Sequence, residues 1–201
     1  MLLVEATGPP RGSQAGTRRA LVVRMLFSDR SLLTMAHGIG LSGAALLGLA
    51  CSLFAMVVLR AGRGPVGPTP GQIRLLTRLL CLSTGALWLA VLAGTYGVFP
   101  LYRVTPPQGA ADLAAYPRAL LLASSNTAWL QSFAMEIKEH MPWIAAMLAT
   151  AAAFVVWLDP VRVLRDGSMF RSAVALISIS FALASWAGLL GILVNKVAPL
   201  Q

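Results

Sequence analysis

Charge is scarce in this chain, and that scarcity sets its class. Only 11% of the residues are charged, against about 25% in a typical water-soluble domain. Apolar residues make up 57%, and the mean hydropathy is +0.75. Such a composition excludes a water-soluble globule and points to an integral membrane protein. Acids are the rarest charge, seven against 16 lysines and arginines, for a net +9. In a soluble protein that excess would suggest nucleic acid. Here the basic residues are scattered over short connections and form no stripe that tracks phosphates, so no nucleic-acid partner is expected. Cysteine is limited to Cys51 and Cys81, each inside an apolar run. Both lie eight residues from the loop joining those runs. They read as small hydrophobes rather than as a disulfide or metal pair. There is no phosphate loop, nucleophile elbow or HExxH helix, so no hydrolase or transferase constellation is visible and no enzymatic activity of its own is expected.

What the chain does have is long uncharged runs. Residues 1–31 precede them as a disordered or interfacial tail with Pro9-Pro10, five arginines and two acids. Thr17-Arg18-Arg19 has the look of a twin-arginine export signal, but Arg24 and Asp29-Arg30 interrupt the apolar region that such a signal needs. Met25 is an alternative start. A membrane crossing needs roughly 20 apolar residues at about 1.5 Å each. Four runs meet that length, at about 32–59, 73–99, 128–158 and 172–194. The first is rich in small residues, Gly38, Gly40, Gly43, Ala44 and Gly48, which allow close approach of a helix or a flat cofactor. Arg60 to Gln72 is a Gly/Pro loop. Pro100 to Ser125 is the longest connection, in which Ala119 to Ala123 is too short to cross and is expected at the interface. Asp159-Pro160 stops the third run, and Val161 to Phe170 is expected as a polar loop.

These spacings predict an all-α, integral membrane, up-and-down four-helix bundle, because only closed backbone hydrogen bonding survives in lipid. Residues 32–201 form that domain. Seven arginines flank the two short loops: Arg60, Arg63, Arg74, Arg78, Arg162, Arg165 and Arg171. The opposite side carries five basic residues, Arg30, Arg103, Arg118, Lys138 and Lys196, and four more if the tail is counted. The positive-inside rule then places the short loops in the cytoplasm and both termini in the periplasm of a cell inner membrane, an assignment that counting the whole tail would reverse.

That topology gathers both histidines of the chain near one membrane face. His37 is twenty-two residues from the cytoplasmic end of its helix and His140 eighteen from its own, which puts them at similar depth. The first and third helices run parallel, as adjacent or diagonal partners. Paired histidines at one depth resemble the architecture of b-type membrane cytochromes, in which alternate helices supply two axial imidazoles to a haem. The resemblance implies His37 and His140 as axial ligands of haem b. Gly40 and Ala44 would leave room for the ring, Arg103 or Lys196 would pair with its propionates, and a quinol or redox partner protein would exchange electrons with it.

Three other readings stand beside this one. Glu136 and His140 share a helix face, with Glu139 beside them, so that with His37 they would suit a metal ion or a proton site. Alternatively, the Glu136 to His140 cluster simply sits in the headgroup layer, with Glu136 and Lys138 facing water and Trp129 and Trp143 as interface anchors. The chain would then be a structural or assembly subunit of a larger membrane complex, its small-residue faces docked on other helices. A proton-coupled carrier is disfavoured, because no run has an ionisable residue near its middle and no broken helix pair appears. Finally, Tyr102-Arg103, Tyr116-Pro117-Arg118, Lys138-Glu139-His140 and Asn195-Lys196-Val197-Ala198-Pro199 resemble the pattern of uncharacterised four-span bacterial integral membrane proteins. That likeness covers about half the chain and implies no activity.

Overall fold

The computed structural model describes residues 28–62 and 67–200. Most of the expected tail, with Met25 and the arginine pair, lies outside those residues, as does Arg63. Ser28 to Ser31, expected at the end of the tail, open the first helix. Ser28 caps the first helix, its hydroxyl accepting from the Ser31 backbone N–H at 3.1 Å, and helix α1 runs Asp29–Ala61.

Helix α2 runs Pro70–Tyr102. Its start combines a proline in the first turn with a reciprocal capping box. Gln72 N–H donates to Thr69 Oγ1 at 3.3 Å, and Thr69 N–H donates to Gln72 Oε1 at 2.9 Å, which together satisfy donors that a helix start leaves unpaired. A short helix α3, Pro117–Leu122, buries Pro117 and Leu121 where the sequence suggested an interfacial segment. Helix α4 runs Ser125–Leu158 and stops at Asp159, as expected. The polar loop expected over Val161 to Phe170 is instead mostly helical. Asp159 accepts from Arg162 N–H at 2.9 Å and starts helix α5, Pro160–Arg165. Asp166 then accepts from Ser168 and Met169 N–H at 2.7 and 2.8 Å and starts helix α6, Gly167–Val197. Two aspartates two and three residues ahead of their donors are the signal that a reading for loops passes over.

The four long helices pack as a closed ring. α1 lies against α2 and α6, α4 lies against α2 and α6, and α1 and α4 are diagonal. Small residues make the contacts close. Gly48 of α1 sits directly on Ser83 of α2, and α4 presents Ala145, Ala149 and Ala152, all fully buried. Ser180 of α6 donates across that seam to the Ala145 carbonyl at 2.8 Å. Buried hydroxyls elsewhere bond to their own helix four residues back, as Ser52 does to Gly48 and Thr84 to Leu80. The main core gathers Leu49, Met56, Leu76, Leu80, Leu87, Val156 and Ile177, and a second cluster with Tyr102, Leu121, Leu130 and Leu190 closes one end.

The outer surface is apolar. Phe54 and Leu82 are more than 70% exposed, and Leu47, Leu75, Trp157 and Ile192 also face outward. All four long helices are long and apolar enough to cross a membrane. Cys51 and Cys81 are free and exposed on this outer face. The start of α1, the end of α2, the start of α4 and the end of α6 share one end of the ring, the terminal end below. The other end is the loop end.

Candidate functional site

Three of the four long helices widen at the terminal end. Residues Ala36–Ser42 of α1, Ala93–Val98 of α2 and Leu130–Met135 of α4 form π-helical turns. A π-turn adds a residue to the helical repeat and leaves carbonyls poorly paired, and such turns are frequent at functional sites. In α1 the hydroxyl of Ser42 donates to the carbonyl of His37, five residues back, at 3.0 Å. The added residue also shifts phase. The buried stripe of α1 passes through Ala45, Leu49, Ser52 and Met56. Extended backwards by seven at ordinary pitch, it would reach Gly38, whereas the wide turn brings His37 to the interior.

His37 enters the ring of helices against α2. Its imidazole lies on the backbone of Gly94, so close that a β-carbon there would stand 2.7 Å from Cε1 and 3.2 Å from Nε2. Only glycine leaves that space. The backbone carbonyl of Ala90, one turn earlier, also faces the ring. Nδ1 is buried and has no hydrogen-bond partner among the described residues.

From the diagonal helix comes Lys138. Its chain reaches inward until Nζ rests on α6, 2.9 Å from where a β-carbon on Gly191 would be. The side chain is half-buried, and its charge acts on the His37 imidazole. It has no ion pair or hydrogen bond among the described residues. The headgroup-layer reading has Lys138 facing water, yet its place in the chain carries the signal for the opposite. Position 138 stands seven residues before Ala145 and so falls on the buried stripe of Ala145, Ala149, Ala152 and Val156. Pro142, four residues after Lys138, lacks the N–H that would bond the Lys138 carbonyl.

At the same end Tyr102, the last residue of α2, is buried and hydrogen-bonded to Gln131 in the wide turn of α4. Phe99 stacks on Tyr102 at 6.2 Å. Arg103, exposed, lies over the Phe99 ring at 5.3 Å. Also at the terminal end, Ser31, Thr34, Met35, Asn195, Pro199 and Leu200 line a cleft of about 210 Å³.

The residues singled out from the sequence are not all brought together. His37 is inside. His140 is exposed on α4, in phase with exposed Ile144, Met147 and Phe154, and its Nδ1 lies 2.8 Å from the Glu136 carbonyl of its own helix. Glu136 is exposed and Glu139 half-buried, near enough to Tyr102 for its charge to act there. Among the described residues no three of His, Cys, Asp and Glu gather to hold a metal ion. Gly40 and Ala44 face outward, with nothing within 4 Å of Gly40, and Lys196 is exposed. Gly94, Gly191 and Gln131 belong to the site without having been expected there.

No family model, curated protein or solved structure matches this chain.

Proposed function

We propose that the chain is a four-span inner-membrane protein, both termini on the periplasmic side, which binds a small polar ligand inside its terminal end through Lys138 and His37. One observation carries the reading: the buried Nδ1 of His37, on α1, has no partner among the described residues, and the charge of half-buried Lys138, on the diagonal helix α4, acts on the same ring. Buried polar groups are nearly always satisfied, and an isolated buried ion costs several kcal/mol. An open imidazole nitrogen and an unpaired ammonium at one end of a small-residue interior suit a small polar ligand. The orientation rests on the seven arginines of the loop side.

A bis-histidine haem b is less well supported by this arrangement. Axial imidazoles face each other across one ring, whereas His37 turns inward against Gly94 and His140 turns outward on its own helix. Gly40 and Ala44, proposed to make room for the ring, lie on the outer face. The test is thermal unfolding of detergent-solubilised protein with inorganic anions, short carboxylates and quinones. At least one class should raise the midpoint of wild type, and His37→Phe with Lys138→Met should abolish that rise. Equal responses in wild type and double variant would sink the reading, and a Soret band lost on replacing either histidine would restore the haem.

A second reading has its own observation. Gly38, Gly40 and Gly43 on α1 are exposed, with nothing within 4 Å, a face suited to close packing of another membrane helix. That is the assembly-subunit alternative, and it is compatible with a ligand site in the interior.

A further inference from the structure

The loop end carries an arginine cluster that the terminal end does not involve. We propose that this cluster, with the apolar lip beside it, docks the headgroup of an anionic phospholipid from the adjacent leaflet. Three helices bring the arginines together. Arg60, in the last turn of α1, donates from Nη1 to the backbone carbonyls of Leu164 and Asp166 at 3.1 and 3.3 Å, and its guanidinium lies over the Phe170 ring at 4.3 Å. Those contacts fix a charged fork at the start of α6. Arg171, one turn into α6, reaches the same spot: a β-carbon on Gly167 would stand 3.5 Å from Arg60 Nη2 and 3.8 Å from Arg171 Nη1. Two like charges thus converge on one patch of backbone, and neither lies within ion-pair distance of a carboxylate of the described residues. Helix α5 adds two more. Its Val163 and Leu164 are buried, which leaves Arg162 and Arg165, three residues apart on one face, exposed. With Asp159, Val161 and Asp166 they line an open cleft of about 510 Å³. Two carboxylates against four guanidiniums leave the patch positive, and both carboxylates already accept N–H groups at helix starts. Guanidinium forks match the oxygens of a phosphate, and basic clusters at a membrane surface attract anionic lipid. The lip favours a lipid over a free anion. Val161 in the cleft is exposed, and Leu158 and Trp157 just before it are 60% and 61% exposed, so acyl chains would lie against apolar surface while the phosphate meets the arginines.

The experiment uses the full chain in a nonionic detergent. Dioctanoyl phosphatidylglycerol, the phosphatidylcholine of the same chains, and inorganic phosphate are titrated separately at equal ionic strength, with the unfolding midpoint as readout. Phosphatidylglycerol should give a saturable rise of roughly 5 °C at a hundredfold excess over Kd, and the other two should not. Arg171→Gln removes an exposed charge that makes no hydrogen bond among the described residues, so it should leave the lipid-free midpoint in place and weaken lipid affinity about tenfold. The double variant Arg162→Gln with Arg165→Gln should weaken it at least as much. Arg60 is left alone, because it also ties α1 to α5. Lys196→Gln makes the same change of charge at the terminal end and should leave the affinity unchanged. Equal responses to the two lipids overturn the proposal, since the headgroup charge is then not read. A response to inorganic phosphate that matches the phosphatidylglycerol response replaces the lipid with a free anion. An affinity loss in Lys196→Gln equal to that in Arg171→Gln reduces the effect to net charge and overturns the site, as does the absence of any saturable response.

Discussion

At the scale of single residues, glycine and the side chain seated on it form a unit. His37 occupies the volume that any β-carbon at Gly94 would need. Gly94→Ala must therefore displace the imidazole or spread α1 from α2, at about 1–3 kcal/mol for overpacking. Removing the ring with His37→Ala should reopen the space. The double variant should then unfold at a higher temperature than the sum of the two single losses predicts, a coupling readable by thermal melts in detergent. Strict additivity would mean that ring and glycine do not touch. Neither partner of this unit was legible alone. Gly94 reads in sequence as one more small residue of an apolar helix, and His37 reads one residue out of phase with the buried stripe of α1. Only the wide turn joins them.

At the scale of elements, helix starts are written plainly in the chain, and helix interiors less so. Thr69-Pro70 with Gln72, Asp159 with Arg162 and Asp166 with Ser168 are local devices that any reader of caps can find. Asp166 supports a pH prediction. The N–H groups of Met169 and Ser168, then nearby Arg162 and Arg171, hold its exposed carboxyl below the ordinary carboxylate value. A carboxylate with a depressed folded pKa stabilises the fold above its unfolded value, and that contribution is lost as pH falls through the folded value. The start of α6 should therefore loosen on the acid side of the ordinary carboxylate range. Asp166→Asn keeps a capping oxygen and removes the charge, so its unfolding midpoint should fall less steeply than wild type's over that window. Identical acid limbs would remove the cap from the account. The π-turns have no such local signature. Ala36–Ser42, Ala93–Val98 and Leu130–Met135 share no residue pattern, and each becomes visible only when helices are placed against one another.

For the whole molecule, an apolar exterior around a small-residue interior makes a prediction about water. Cys51 and Cys81 are both free and both on the outer face, within the helices proposed to cross the bilayer. In sealed or leaky vesicles a charged maleimide should label neither, while an apolar maleimide, or either reagent after denaturation in detergent, should label both. Rapid labelling by the charged reagent in intact membranes would place that face in water. It would also undo the proposed spans.

Four long apolar helices, their order, their limits to within a few residues and their antiparallel connections follow from the sequence by itself, because run length, uncharged composition and capping residues act over one or a few turns. Lys138 was also legible there, since it keeps the phase of the alanines that pack α4. The tertiary structure alone decided that His37 goes inside and His140 outside, and that two glycines receive the tips of His37 and Lys138. Those outcomes depend on an extra residue in a helical turn and on the approach of backbones distant in the chain. No spacing within one helix encodes either of them.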